Sequence, residues 1–153
     1  MSRWRPSVTV AAVIERGGKF LFVEEVANGR RVLNQPAGHL DPGESLVQAV
    51  VRETLEETAH RITPTALLGI YRWRYDKDKE EAITFLRFAF LGRVDGVEAG
   101  RKLDKEIIAA VWLTPAELAA RRAEHRSPLV QQCVDDCLAG RSFPLDVLSK
   151  PYA

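Results

Sequence analysis

The segment between residues 45 and 60 restricts the fold of this chain most, because its side chains repeat with the period of an α-helix. One stripe of that helix collects its apolar and hydroxyl side chains: Val47, Val50, Val51, Thr54 and Thr58. Beside the stripe, three glutamates recur at positions i, i+3 and i+4: Glu53, Glu56 and Glu57. We expect the stripe to be buried, so the three acids lie at the edge of a packed face rather than in bulk water.

Three glutamates at helical spacing have two different interpretations. They can be an ordinary solvated helix face, on which Arg52 and Glu56 form a simple i, i+4 ion pair. Alternatively, because like charges on one face repel each other, the cluster would need a cation. Oxygen ligands from a compact acidic surface favour hard ions, so the expected cofactor is Mg²⁺, with Mn²⁺ as a substitute.

The rest of the pattern predicts a mixed α/β domain. Apolar, β-branched runs predict strands at residues 8–14, 19–25, 67–75, 83–94 and 107–113. Turns or loops are predicted at Gly17-Gly18, Asn28-Gly29, 34–42 (with a short strand) and 76–81. Two more helices are predicted, one after the capping sequence Thr114-Pro115 and one from Ser127 to Gly140. This order predicts helices packed on a sheet.

Composition and charge exclude several classes of protein. The 153 residues fit one domain, 1–153, and 22 basic against 21 acidic residues give no bulk attraction to nucleic acid or to a membrane. No apolar run approaches the ~18–20 residues of a membrane span, and the N-terminus lacks the apolar core of a signal peptide. Cys133 and Cys137 are expected to be free thiols. We therefore expect a cytoplasmic protein.

A longer motif surrounds the acidic helix. Gly38 is followed by five residues, Glu44, seven residues and then Arg52-Glu53-Thr54-Leu55-Glu56-Glu57. This spacing resembles the Nudix box, here residues 38–60. The chain departs from that pattern at Thr54 and His60, where aliphatic residues are usual, and at Ala59, where glycine is usual. Because alanine disfavours a left-handed cap, we expect the helix to be able to continue into His60-Arg61.

The resemblance implies a Nudix fold, an α/β architecture in which a mixed β-sheet is sandwiched between helices. It implies a hydrolase acting on acid anhydrides in phosphorus-containing compounds, with a small-molecule di- or triphosphate as substrate. The implied metal-binding residues are Gly38, through its carbonyl, and the glutamates Glu53, Glu56 and Glu57. Arg52 would orient one of these glutamates, and Glu44 would support the start of the helix. Metal ions suit such a substrate because they neutralise phosphate charge and lower the pKa of a bound water.

The similarity is closer to one group within the family, the NudJ phosphatases. It extends over segments 8–14, 19–25, 34–40, 85–88, 126–130 and 143–145. It implies a Mg²⁺-dependent phosphatase that releases orthophosphate from nucleoside tri- and diphosphates and from hydroxymethylpyrimidine diphosphate, a thiamine precursor. One alternative is a Nudix pyrophosphohydrolase that cleaves nucleoside triphosphates, nucleotide sugars or ADP-ribose to a monophosphate. A remote alternative is a non-catalytic ligand-binding module.

Further side chains are candidates for substrate binding: Gln35, His39, Arg72, Arg74, Arg87 and Glu106. Arg72 and Arg74 alternate with Trp73 on a predicted strand, so both face one side, toward either a phosphate or solvent. Arg87 lies in an apolar strand and needs either an anionic ligand or a structural partner. Glu106 precedes the last strand and is either an extra metal ligand or base, or an exposed charge. We expect a monomer or a weak homodimer.

Overall fold

The computed structural model describes residues 2–76 and 81–150 of the chain. The strands within these residues are β1 (Ser7–Arg16), β2 (Lys19–Ala27), β3 (Arg30–Asn34), β4 (Ala37–His39), β5 (His60–Asp76), β6 (Ala82–Val97) and β7 (Ile107–Leu113). The helices are α1 (Leu46–Thr58), α2 (Pro115–Ala120) and α3 (Leu129–Leu138), with short 3-10 turns at Arg122–Glu124 and Leu145–Val147. Most of the predicted loop at 76–81 lies outside the described residues.

The strands form one mixed sheet in the order β3-β2-β1-β6-β5. Strand β1 runs parallel to β6, whereas the other neighbours are antiparallel. Strand β4 pairs with β1, and β7 pairs with β2. Helices cover both faces of this sheet, which confirms the predicted α/β/α architecture.

Strand β1 separates two hydrophobic cores. Successive side chains of a strand point to opposite faces, so Val10, Ala12 and Ile14 lie in one core while Ala11 and Val13 lie in the other. The first core is completed by α1, and the second by α2 and α3. Because both faces of β1 are packed, the strand reads as a continuous apolar run rather than an alternating one.

The two strands predicted on either side of the Gly17-Gly18 turn, β1 and β2, form a hairpin only next to that turn. The two strands pair at Glu15↔Phe20 and Arg16↔Lys19, and β1 then pairs with β4 and β6. Strand β2 pairs instead with β3 and β7. The strands therefore diverge, and β4 enters against β1 with Gly38 opposite Val10. The predicted turn at Asn28-Gly29 is confirmed, with φ of 53° and 72°.

Helix α1 ends earlier than its sequence suggested. Ser45 and Gln48 form a reciprocal capping box at its start, and the helix stops at Thr58. Ala59 adopts the left-handed conformation with φ 60°, and its N–H donates to the Leu55 carbonyl. The expected continuation into His60-Arg61 is therefore wrong.

Contacts of the neighbouring residues impose this cap on an alanine. The Thr58 hydroxyl donates to the Thr54 carbonyl and accepts from the His60 N–H, at 2.6 and 3.2 Å. His60 then begins β5 opposite Val97, so strand pairing starts immediately after the cap. The strand ladder stabilises His60 in an extended conformation, which ends the helix although alanine occupies position 59.

The two long strands exceed their predicted lengths. Strand β5 starts at His60 although Pro64 and Gly69 interrupt its apolar pattern. Its pairing with β6 shifts register at three places, between Arg61/Ile62, Pro64/Ala66 and Leu67/Gly69. These irregularities let an edge strand accommodate a proline, which has no N–H to donate to the ladder.

The remaining helices agree with the sequence. Thr114 and Glu117 form the predicted capping box of α2, and α3 ends just before Gly140, whose φ is 81°. Among the described residues, no helix combines the length and the apolar character needed to cross a bilayer.

Replacing Ala59 by glycine should stabilise the fold. Glycine adopts φ 60° without the steric cost that an L side chain meets there, so we expect the free energy of unfolding to rise by about 0.5–1 kcal/mol. The matched control is Ala139→Gly, since Ala139 ends α3 at φ −75°. Urea unfolding measures both variants, and a gain at position 139 with none at position 59 would contradict the assignment of strain.

Candidate active site

A cavity of about 400 Å³ opens where β1 and β2 diverge. Its lining includes Thr9 of β1, Glu25 of β2, Gly38 of β4 and two acids of α1, Glu53 and Glu57. Residues from β5, β6 and the start of α3 complete it. A volume of this size is within the range of small-molecule sites.

Arg52 connects the loop before α1 to the helix itself. Its Nε and Nη2 donate to the two carboxylate oxygens of Glu44, at 3.0 and 2.7 Å. Nη2 also donates to the His39 carbonyl at 3.0 Å and lies 3.3 Å from an Asp41 oxygen. The bidentate pair is the geometry that suits a planar guanidinium, and it lowers the pKa of Glu44.

The same guanidinium fixes two of the helix glutamates. Its Nη1 donates to Glu53 Oε1 at 2.8 Å and to Glu56 Oε2 at 3.3 Å. Arg52 therefore reduces the repulsion between like charges on this face and holds Glu53 in one orientation. The simple Arg52–Glu56 pair considered from the sequence is present, but as one of the longest of several contacts.

Glu53 and Glu57 are buried carboxylates. Burial raises the pKa of Glu53 although Arg52 opposes that change. Glu57 lacks an arginine partner among the described residues and accepts one hydrogen bond, from the Ala37 N–H at 2.9 Å. Burial, with smaller contributions from neighbouring acids such as Glu25, raises the pKa of Glu57 to about 9.

Gly38 leaves room for the Glu53 carboxylate. A Cβ atom at position 38 would lie 2.1 Å from Cδ of Glu53, which is far inside contact distance. With any other residue at this position, the Glu53 carboxylate would have to leave the orientation in which Arg52 holds it. This close approach accounts for Gly38 without any role for its carbonyl, so metal ligation by that carbonyl stays a prediction.

One potential cation site is present among the described residues. Glu53, Glu57 and Asp104 each bring an oxygen within 4.8 Å of the others. All three donors are carboxylate oxygens, and two of the groups are buried, so this set suits a hard divalent cation. The Glu56 carboxylate is not in this group and contacts Arg52 instead.

Asp104 was missed by the sequence interpretation, which chose Glu106 from the same segment. The Asp104 N–H donates to the Glu56 carbonyl at 3.1 Å, and the Ile107 N–H donates to the Asp104 carbonyl at 2.9 Å. These bonds form a turn that brings Asp104 to α1. Glu106 is exposed and lines the cavity outside the three-carboxylate group. Only an acidic residue before β7 was visible in the sequence, not which acid the turn directs to the helix.

The structure separates the candidate substrate residues into two groups. Arg87 and the exposed His39 line the cavity, and the Gln35 amide oxygen accepts from Arg87 at 2.9 Å. Arg72 and Arg74 are absent from the cavity lining, and Arg74 pairs with Asp76 at 3.2 Å. Side chains alternate along this strand as the sequence predicted, and Trp73, which lies between the two arginines, is the one that lines the cavity.

Comparison with known proteins identifies similar chains. A sequence profile described as NUDIX domain matches residues 3–133. Phosphatase NudJ of Escherichia coli is 36% identical over 145 residues, which cover 95% of this chain and 92% of that protein. NudJ of Shigella boydii serotype 4 has the same identity and coverage.

Solved structures show a similar fold. A NUDIX hydrolase from Nitrosomonas europaea superimposes with a TM-score of 0.89 at 50% identity, covering 95% of this chain and 97% of that one. An ADP-ribose pyrophosphatase from Streptococcus suis superimposes with a TM-score of 0.64 at 21% identity, covering 90% and 94%. The second likeness concerns the fold alone.

Separate substitutions of Asp104 and Glu106 test which of these two acids belongs to the cation site. Asp104→Asn removes one of three converging carboxylates, so we expect Mn²⁺ affinity to fall at least about tenfold. Glu106→Gln is the matched control and should leave the affinity within about twofold of the original protein. Isothermal titration with Mn²⁺ measures both, and the reverse ranking would assign the site to Glu106.

The buried Glu57 carboxyl should make the metal-free fold less stable at high pH. In the unfolded chain this group ionises near pH 4.5, whereas the folded protein retains its proton up to about 9. Between these values the folded state binds the extra proton, so its stability falls by at most about 1.4 kcal/mol per pH unit. Glu57→Gln should be less sensitive to pH and more stable than the original protein at pH 8.

Urea unfolding in EDTA at pH 5.5 and pH 8 measures this difference. The glutamine side chain in this variant retains an oxygen that can accept from the Ala37 N–H, so the substitution removes the ionisable proton and not the contact. Parallel pH dependence in the two proteins would contradict the assignment. Mg²⁺ should restore the stability of the original protein at pH 8 more than that of the variant.

Proposed function

This chain belongs to the NUDIX domain family and is a hydrolase of phosphorus-containing acid anhydrides, and we propose that it is a Mg²⁺-dependent phosphatase that releases orthophosphate. The proposed substrates are nucleoside tri- and diphosphates and hydroxymethylpyrimidine diphosphate. The observation that carries the proposal is the convergence of Glu53, Glu57 and Asp104 beside one cavity. The 36% identity to Phosphatase NudJ favours release of orthophosphate over other cleavages.

The three converging carboxylates would hold the divalent cation, with Mn²⁺ as a substitute for Mg²⁺. When bound there, the ion supplies charge neutralisation and Lewis-acid activation of water. The residues of the chain hold the metal-binding carboxylates in place. Arg52 orients Glu53, and the Ala37 N–H orients Glu57. Phosphoryl transfer depends mainly on such positioning and on charge compensation, which fits a site with fixed carboxylates.

Glu44 and Glu56 have supporting roles in this proposal. Glu44 fixes Arg52 through two hydrogen bonds, and its Oε1 also accepts from the Asp41 N–H at 2.8 Å. Glu56 is more exposed than Glu53 and Glu57 and is available as a further ligand or as a base when substrate is bound. The set proposed for catalysis is Glu44, Arg52, Glu53, Glu56 and Glu57, with Gly38 beside it.

The substrate is a small molecule, and neither nucleic acid nor membrane is needed. The free cysteines Cys133 and Cys137 are compatible with a reducing cytoplasm. The protein would act as a monomer or a weak homodimer.

Identification of the inorganic product tests the reaction. We expect incubation with GTP or with GDP and Mg²⁺ to release orthophosphate, observed by ³¹P NMR, because the terminal phosphate is the group transferred to water. Pyrophosphate with GMP from GTP would instead favour the pyrophosphohydrolase alternative, whereas GDP yields orthophosphate by either route and tests only whether a diphosphate is accepted. No phosphorus product from any nucleotide or from hydroxymethylpyrimidine diphosphate would favour the binding-module alternative.

The Glu57→Gln variant tests whether the carboxylate cluster performs the reaction. We expect this substitution to reduce kcat by at least about a hundredfold, since it removes a charge from the cation site while keeping the shape of the side chain. The control is Glu98→Gln, an acid outside the cavity that pairs with Arg101. Circular dichroism checks that both variants are folded, and near-original activity in Glu57→Gln would refute the assigned role.

A further inference from the structure

Arg87 of β6 is a buried cation with neutral partners. It is 6% exposed, and its guanidinium donates to the side-chain oxygens of Asn34 and Gln35, each at 2.9 Å. A weaker contact joins it to the Cys133 sulfur at 3.8 Å. Within residues 2–76 and 81–150, no carboxylate lies within 4.0 Å of its nitrogens, so Arg87 forms no direct ion pair there.

The two amide partners hold Arg87 in place but do not neutralise it. The Gln35 amide nitrogen donates to the Val130 carbonyl at 2.8 Å, which fixes the Gln35 oxygen toward the guanidinium. Removing a cation from water is costly unless an anion compensates for the lost hydration. Because Arg87 lines the cavity, the ligand of that cavity can supply the anion. A guanidinium suits phosphate oxygens, since its planar donors bind two of them together.

An aromatic surface lies on the same face of the sheet. Trp73 pairs across the strands with Phe85, and their rings stack with centroids 5.7 Å apart at an interplanar angle of 18°. The next pair on this face is Tyr71 with Arg87, so Phe85 and Arg87 are two residues apart on one strand. Trp73 and Phe85 both line the cavity together with Arg87.

We propose that Arg87, Trp73 and Phe85 form a second subsite that recognises a planar heteroaromatic ring bearing a phosphate group. This inference rests on the proposed function, because it describes the part of the substrate that is left after hydrolysis. Water adds its oxygen to the terminal phosphorus as the bond from that phosphorus to the bridging oxygen breaks, and the protons of the water pass to the phosphate products or to solvent. The bridging oxygen leaves with the ring-bearing group, which is a monophosphate when the substrate is a diphosphate and a diphosphate when it is a triphosphate. The inner phosphate lies on Arg87, and the ring lies against the aromatic pair.

The subsite predicts which diphosphates are preferred. A substrate with an aromatic ring gains contact with Trp73 and Phe85, whereas a sugar or aliphatic diphosphate makes only the Arg87 contact. The monophosphate left by a diphosphate substrate should also bind on its own, because Arg87 forms no ion pair with an acid in the described part of the chain. This binding does not require the divalent cation.

Metal-free binding of a product tests the inference without turnover. In EDTA we expect GMP to bind the full chain, and Arg87→Met to weaken that binding at least about tenfold, measured by isothermal titration calorimetry. Trp73→Leu should reduce the preference for GMP over ribose 5-phosphate, because the ring loses its contact. The matched control is Arg93→Met, an exposed arginine on the same strand that pairs with Asp95 and should leave GMP binding unchanged.

Several outcomes would overturn the inference. Arg87→Met with the original GMP affinity would do so, as would equal binding of GMP and ribose 5-phosphate by the original protein. If circular dichroism shows that Arg87→Met is unfolded, Arg87→Lys replaces it, since lysine keeps the charge and loses the planar donor pair. A several-fold loss in that variant supports the subsite, and no loss refutes it.

This test is separate from that of the proposed function. GMP binding through Arg87 without hydrolysis of any nucleotide would refute the proposed function alone. Release of orthophosphate from GTP with undiminished GMP binding by Arg87→Met would refute the subsite alone.

Discussion

The hydrogen bonds of Arg52 are the interaction on which the rest of the site depends. One guanidinium contacts the carboxylates of Glu44, Glu53 and Glu56 and the carbonyl of His39. These groups belong to α1, to the loop before it and to the end of β4, so Arg52 joins three parts of the chain and reduces the repulsion between the acids of the helix and of the loop. Arg52 affects the two buried glutamates differently. It orients Glu53 and partly neutralises its charge, whereas among the described groups Glu57 accepts a hydrogen bond only from the backbone N–H of Ala37.

The fold makes this arrangement possible by separating β1 from β2. A continuous hairpin would fill the space that β4 enters, and Gly38 could not then lie against Glu53. The same divergence opens the cavity, into which β2 contributes Glu25. That acid is already paired with Arg126 at 2.6 Å, which distinguishes it from Glu57. The cavity and the position of β4 therefore both follow from the early end of the pairing between β1 and β2.

Much of this architecture could be predicted, because it depends on local patterns. The apolar stripe ending at Thr58, the turn at Asn28-Gly29 and the capping box at Thr114 are encoded within a few residues, and the structure contains them. The left-handed Ala59 could not be predicted from propensity, since tertiary pairing of His60 imposes it. Asp104 was missed for the same reason: a turn bonded to α1 selects it over Glu106.

The cavity carries two charge regions of opposite character. Glu53, Glu57 and Asp104 bring three carboxyl oxygens together, and among these groups Arg52 contacts Glu53, so that region suits a cation. Arg87 is buried among amides with no acid close by in the described ranges, so its region attracts an anion. If Arg87 were a structural ion pair, a carboxylate would lie where Asn34 and Gln35 provide neutral oxygens instead. Because these partners are neutral, the charge of Arg87 stays available to a ligand, and the buried charge makes the empty protein less stable. A molecule with a phosphate at each region would be held in one direction, with its terminal phosphate at the carboxylates. If the inner phosphate lies on Arg87 as proposed, this asymmetry of charge gives a physical reason to expect cleavage at the terminal phosphate.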